Sequence, residues 1–108
     1  MLKRANRLAK SKDIQTAFAR GRTFFNPFFN VRFLPTPAEK RFTVVVSTKV
    51  YKKAVARNRL KRLVREYIRK NLEKFRRGSY VIAAKPKISK LPENEIVKQF
   101  LDAAARIR

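Results

Sequence analysis

Apolar residues along the chain alternate between a helical and a two-residue rhythm, and the changes fall at glycines and prolines. Ile14, Ala17 and Phe18 share one face of a helix predicted over 12–20, with Ser11 as N-cap and Gly21 as a left-handed C-cap. From 28 to 34 the period drops to two. Phe29, Val31 and Phe33 then share one strand face, and Phe28, Asn30, Arg32 and Leu34 the other. Pro35 and Pro37 end this strand, and a β-branched run over 41–48 suits a central strand. A long helical pattern follows, then a strand over 80–84. After Pro92, Ile96, Val97, Phe100, Leu101 and Ala104 recur at helical spacing. The order α-β-β-α-β-α, with room for an extra short strand near 22–25, predicts an α+β fold: a compact two-layer α/β sandwich. A helix between two of its strands predicts a crossover and a parallel pair.

The length of 108 residues fits one domain, with 1–10 as a flexible basic N-terminal arm. Nine Phe and a hydrophobic share of 44% exceed what a disordered basic tail carries, so part of the chain packs. Against 29 Lys and Arg stand 7 Asp and Glu, giving a formal charge of +22 and implying a polyanionic partner. Cysteine and histidine are both absent, which removes disulfides, thiolate nucleophiles, the usual zinc sites and imidazole catalysis. Asp13, Glu39, Glu66, Glu73, Glu93, Glu95 and Asp102 are too few, and too irregularly spaced, for a metal-dependent nuclease acting alone. Glu93 and Glu95 instead suit the start of the last helix. No apolar run has membrane-spanning length and no signal peptide opens the chain, so a cytoplasmic protein without a membrane partner is expected.

Function concentrates in residues 49–70. At about 100° per residue, Leu60, Leu63, Val64, Tyr67, Ile68 and Phe75 fall in one apolar arc, opposite Asn58, Arg62, Arg65 and Arg69. A solvated helix face would account for such an arc, but solvated faces mix signs to gain i,i+4 pairs. Here Glu66 and Glu73 are the only acids between Lys49 and Arg77. Arginine can grip phosphate bidentately and Asn58 can meet a sugar or base edge, a combination suited to folded RNA. Arg57 projects toward the apolar side and Arg59 toward a flank, both near the helix start, where amides and the dipole favour phosphate.

The string Ser47-Thr-Lys-Val-Tyr-Lys-Lys-Ala-Val-Ala-Arg-Asn-Arg-Leu-Lys-Arg-Leu-Val-Arg-Glu66 resembles the signature of the bacterial ribonuclease P protein component. The resemblance extends to Asn6-Arg-Leu, to Asp13-Ile-Gln-Thr-Ala-Phe-Ala-Arg-Gly21 and to Tyr80-Val-Ile-Ala-Ala-Lys-Pro86, in the expected order. It implies a left-handed crossover where the general rule is right-handed. It also implies an accessory role: ribonuclease P catalytic RNA, with bound magnesium, removes the 5′ leader of precursor tRNA, and the protein itself binds no cofactor. RNA contact is thereby expected at Lys53, Arg57, Asn58, Arg59, Lys61, Arg62, Arg65 and Arg69. A cleft for the single-stranded leader is expected at Ile14, Phe18, Arg32 and Lys85, and no residue of the chain is expected to be catalytic. The family often has aromatics where this chain has Ile14 and Arg32, which leaves fewer rings for base stacking.

The residues leave other readings open. On spacing alone Phe18 could be core, and Lys85 an ordinary lysine at a strand end. A ribosomal or other structural RNA-binding protein would share the charge, the size and the basic helix. A membrane-active helix fits less well with strands on either side.

Overall fold

The computed structural model describes residues 3–37 and 39–106. Helix α1 spans Ser11–Arg20, strands β1, β2 and β3 span Arg22–Phe25, Phe29–Pro35 and Arg41–Val45, α2 spans Ala54–Lys70, β4 spans Gly78–Ala84, and α3 spans Glu93–Ala105. Short 3-10 turns at Arg4–Asn6, Leu72–Lys74 and Pro86–Lys90 complete the described elements. The strands form one sheet in the order β1-β2-β4-β3, with β1/β2 and β2/β4 antiparallel and β3/β4 parallel. The expected parallel crossover is therefore β3-α2-β4, and the short strand near 22–25 is β1.

The two-residue rhythm sorts side chains between the sheet faces. Phe29, Val31 and Phe33 of β2, Phe42 and Val44 of β3, and Tyr80 and Ile82 of β4 pack inward against Leu60, Val64 and Ile68 of α2 and Ile96, Phe100 and Ala103 of α3. In register, Phe33, Tyr80 and Phe42 form a cross-strand row, with ring centroids 4.6 Å apart at each step. Burial pushes the Tyr80 phenol up to about 12, so it stays protonated and donates to the Arg76 carbonyl at 2.7 Å. On the opposite face, α1 covers part of the sheet through Ala17 and Ile14, which pack with Leu8, Val81 and Leu34.

Asn26, in the turn between β1 and β2, is 4% exposed and fully engaged. Its Oδ1 accepts from the Phe28 and Phe29 amides at 2.9 and 2.8 Å. Its Nδ2 donates to the Gln99 carbonyl at 2.8 Å and to Asp102 Oδ2 at 3.0 Å, tying the hairpin to α3.

Several sequence expectations are corrected. Ser11 is the first helical residue, not the cap, and Lys10 precedes it without a capping side chain. Gly21 has φ −74° and is extended; glycine is needed because an added Cβ would lie 2.4 Å from the Ala17 carbonyl oxygen and 3.1 Å from that of Phe33. The positive-φ glycine is Gly78, at +152°, where β4 begins opposite Pro35. β2 starts one residue later and ends at Pro35, β3 stops at Val45, and β4 starts at Gly78. Phe75 lies beyond α2, yet its ring still packs edge-on against Phe42 and Tyr80. In α3 the buried stripe is Ile96, Phe100 and Ala103, while Leu101 is exposed.

The expected flexible arm is docked beside β3. The Leu8 amide donates to the Phe42 carbonyl at 2.8 Å, Asn6 Nδ2 to that of Lys40 at 2.8 Å, and the Leu8 side chain is buried. β3 is a sheet edge, and its unpaired carbonyls attract this segment. Residues 1–2 of the arm lie outside the described residues.

Candidate nucleic-acid interface

The connection from β3 to α2 is a braced loop. The Ser47 carbonyl accepts from the amides of Val50 and Tyr51 at 3.1 and 3.4 Å, and Val46 and Val50 are buried beneath. Arg57, one turn into α2, folds back so that its Nη1 donates to the carbonyls of Tyr51 at 2.9 Å and Lys52 at 2.7 Å. It reaches around the helix start as expected, but onto backbone carbonyls, which makes it a strut for the loop. Lys53 holds the N-cap position and no side-chain oxygen caps the helix, so the positive end of the dipole is open to an anion. Asn58, Arg62 and Arg69 are exposed along one side of α2 and Arg65 is half-buried among them, while Leu60, Val64 and Ile68 are buried on the other. Lys61 is half-buried and Arg59 exposed on the flanks.

Charge pairing divides this arc. Arg69 forms an ion pair and hydrogen bond with Glu66, which raises the Arg69 pKa and lowers that of Glu66. The C-terminal end of the arc is thereby largely neutralised. Among the described residues no ion pair engages Arg62 or Arg65. Partial burial, and after it the like charge of Arg7, push the Arg65 guanidinium below its ordinary pKa, although it stays charged near neutrality. The Arg7 charge, from a different segment, adds to the positive potential around Arg65. Arg7 was not among the residues expected to bind RNA; only its place in Asn6-Arg-Leu, within the family resemblance, pointed to it.

The second surface is the part of the sheet that α1 leaves open. Phe18, at the end of α1, is 50% exposed, which removes it from the core. The Arg32 guanidinium lies 4.0 Å from the Phe18 ring centroid, and its Nη1 donates to the Phe18 carbonyl at 2.7 Å. Next to this pair runs the register row Phe25, Asn30, Ala83 and Val45. Phe25 is 58% exposed and the Lys85 ammonium sits 4.9 Å from its ring centroid. Asn30 has a buried amide oxygen with no hydrogen-bond partner among the described residues. Of the four expected cleft residues, the structure thus brings Phe18 and Arg32 into contact and sets Lys85 on a neighbouring ring. Ile14 instead packs in the small core under α1. Phe25 went unread because Phe24 and Phe25 together hide the alternation; the available signal was that Thr23 and Phe25 share a two-residue phase.

Among the described residues no three or more acidic side chains are grouped to hold a metal ion, and no helix is long and apolar enough to cross a membrane. Asp13 pairs with Arg41 at 3.7 Å, Glu95 with Lys98 at 3.5 Å and Asp102 with Arg106 at 3.5 Å, so several of the few carboxylates lie on surface ion pairs.

Comparison with known proteins agrees with this picture. The ribonuclease P family model matches residues 2–108. The ribonuclease P protein component of Xylella fastidiosa is 31% identical over 104 residues, covering 96% of this chain and 77% of the relative. That of Bacillus velezensis is 33% identical over 98 residues, covering 90% and 84%. The solved ribonuclease P protein of Thermotoga maritima superposes with a TM-score of 0.84 at 30% identity, covering 94% of this chain and 97% of that one. These matches favour the ribonuclease P reading over a ribosomal one, and the chain belongs to the bacterial ribonuclease P protein component family.

Proposed function

We propose that the chain binds the catalytic RNA of ribonuclease P along the N-terminal two-thirds of α2, and the single-stranded 5′ leader of precursor tRNA across the open face of the sheet. The RNA, with magnesium held on its phosphates, then hydrolyses the phosphodiester that joins leader to tRNA, and the protein supplies affinity and alignment in the cytoplasm. The observation that carries this reading is the placement of two different surfaces on opposite faces of one sheet. One is an arginine arc whose neutralisation is confined to the Glu66–Arg69 pair at its C-terminal end, which leaves the rest suited to a folded phosphate backbone. The other offers two exposed rings, each beside a cation, suited to unpaired bases and their phosphates. A chain so built can touch two RNAs at once.

Base stacking contributes about 1–3 kcal/mol per base, so Phe18→Ala is expected to weaken binding of precursor tRNA to the holoenzyme roughly tenfold or more. Melting of the protein should hardly change, because the ring is half exposed. Affinity for leaderless tRNA and for the RNA subunit should stay at the wild-type level. Equal losses with and without a leader would remove Phe18 from the leader site.

A further inference from the structure

Arg57, Asn58 and Arg59 point in three directions, and the cationic arc accounts for only one of them. Arg57 braces the loop. Asn58 joins the arc. Arg59 stands elsewhere, on the lip of a pocket of about 380 Å³ between the first turns of α2 and the start of α3. Its walls are largely aliphatic: Val55, Leu60 and Leu63 on one side, Leu91 and Ile96 on the other. Lys53 and Arg59 supply cations at the rim, and Glu93 a carboxylate. Val55 is 76% exposed, the most exposed large hydrophobic side chain among the described residues, and it sits beside two cations at an uncapped helix start. An exposed aliphatic in so basic a segment has no folding role that its burial would explain.

We infer that this pocket takes one nucleobase turned out of the catalytic RNA, with Lys53 and Arg59 holding the phosphates on either side of it. The volume admits a purine or pyrimidine with room to spare, but not the several successive anchors that a peptide helix lays into a groove. Aliphatic walls suit the faces of a base, while the Glu93 carboxylate can accept from an exocyclic amino group. Charge complementarity favours the same occupant: the rim is cationic, and a base carries an anionic phosphate on each side. The inference rests on the catalytic RNA being the partner, but concerns a contact separate from the arginine arc and from the leader cleft.

The pocket can be plugged without touching a phosphate ligand. Val55→Phe and Val55→Trp place a ring over it from a position already in solvent, so circular dichroism melts should match the wild type. Both variants should bind ribonuclease P RNA roughly tenfold more weakly, with the slope of log affinity against log salt unchanged, because every phosphate-binding cation stays in place. Arg59→Gln should lower affinity and also flatten that slope by up to about one counterion. Wild-type affinity in both plugged variants would leave the pocket to a protein partner or to none, and would overturn the inference. So would weaker binding accompanied by a flatter slope, which would mean that the plug disturbs phosphate binding at the lip. Failure of the wild-type chain to bind the RNA at all would instead count against the subunit reading.

Discussion

Replacing Asn26 with alanine is expected to lower the unfolding free energy by about 2–4 kcal/mol, a substantial fraction of what a chain of this size commands. Alanine leaves the Phe28 and Phe29 amides without their side-chain acceptor and cuts the tie to Asp102 and the Gln99 carbonyl, in a site only 4% exposed. Each buried orphan costs about 1–3 kcal/mol, with relaxation recovering part of the sum. Asn26→Asp separates the two halves of the network. It keeps the acceptor for both amides but turns a carboxylate toward Asp102 and the Gln99 carbonyl. That variant should be most destabilised near neutrality and should recover as the pH falls and the new carboxyl takes up a proton. Urea melts at two pH values check both expectations. The effect reaches function because Asn26 fixes the end of the strand that carries Phe25 to the cleft. A change below about 1 kcal/mol for alanine would mean that the hairpin does not depend on this tie.

The second large effect is on RNA affinity. The double substitution Arg62→Ala with Arg65→Ala should weaken binding to ribonuclease P RNA by on the order of tenfold to a hundredfold near physiological salt. It should also flatten the dependence of log affinity on log salt by up to about two, one for each guanidinium withdrawn from a phosphate. Arg69→Ala should do far less, because Glu66 already occupies that guanidinium. Arg65 carries the further consequence of Arg7: with the Arg65 charge gone, a like-charge neighbour disappears, so the protein alone should not lose stability on that account. Filter binding across a salt series distinguishes the cases. Unchanged slopes would make the arc a solvated face.

The parts of this fold that were legible in the sequence are those whose partners are implied by period alone. Leu60, Val64 and Ile68 repeat at helical spacing, and Phe29, Val31 and Phe33 alternate, so α2 and β2 could be read before any tertiary contact was known. The crossover order followed from the sequence of elements. Other features depend on distant neighbours. Leu8 lies in a basic stretch with no apolar period, and its burial depends on Ala17 of α1 and Val81 of β4, with its amide held by Phe42 at the edge of β3. Gly21 looks like a left-handed helix terminator, but its backbone is extended, and glycine is required by the Ala17 carbonyl oxygen of its own helix together with the Phe33 carbonyl across the β1–β2 ribbon. Phe75 keeps the phase of the α2 stripe although the helix has ended, because a 3-10 turn returns its ring to the same core.

The site divides in the same way. The cationic arc of α2 is a local, periodic feature and was visible, as was the family string across it. Which arginines remain open to a partner was not, because that depends on where Glu66, Arg7 and the loop carbonyls lie. Phe18 and Arg32 were expected in one cleft, and they meet through both a ring contact and a carbonyl hydrogen bond. Phe25 and the pocket beside Val55 required three dimensions. The first becomes part of the open face only through its register with Asn30, and the second only where α3 comes against α2.

The most direct test of the account is cleavage of a precursor tRNA by bacterial ribonuclease P RNA at low magnesium, with the protein present, with it absent, and with the protein alone. Cleavage at the leader junction only when RNA and protein are combined is the predicted result. Cleavage by the protein alone would contradict the assignment of catalysis to the RNA, and no stimulation of a competent RNA that the protein binds tightly would contradict the subunit role.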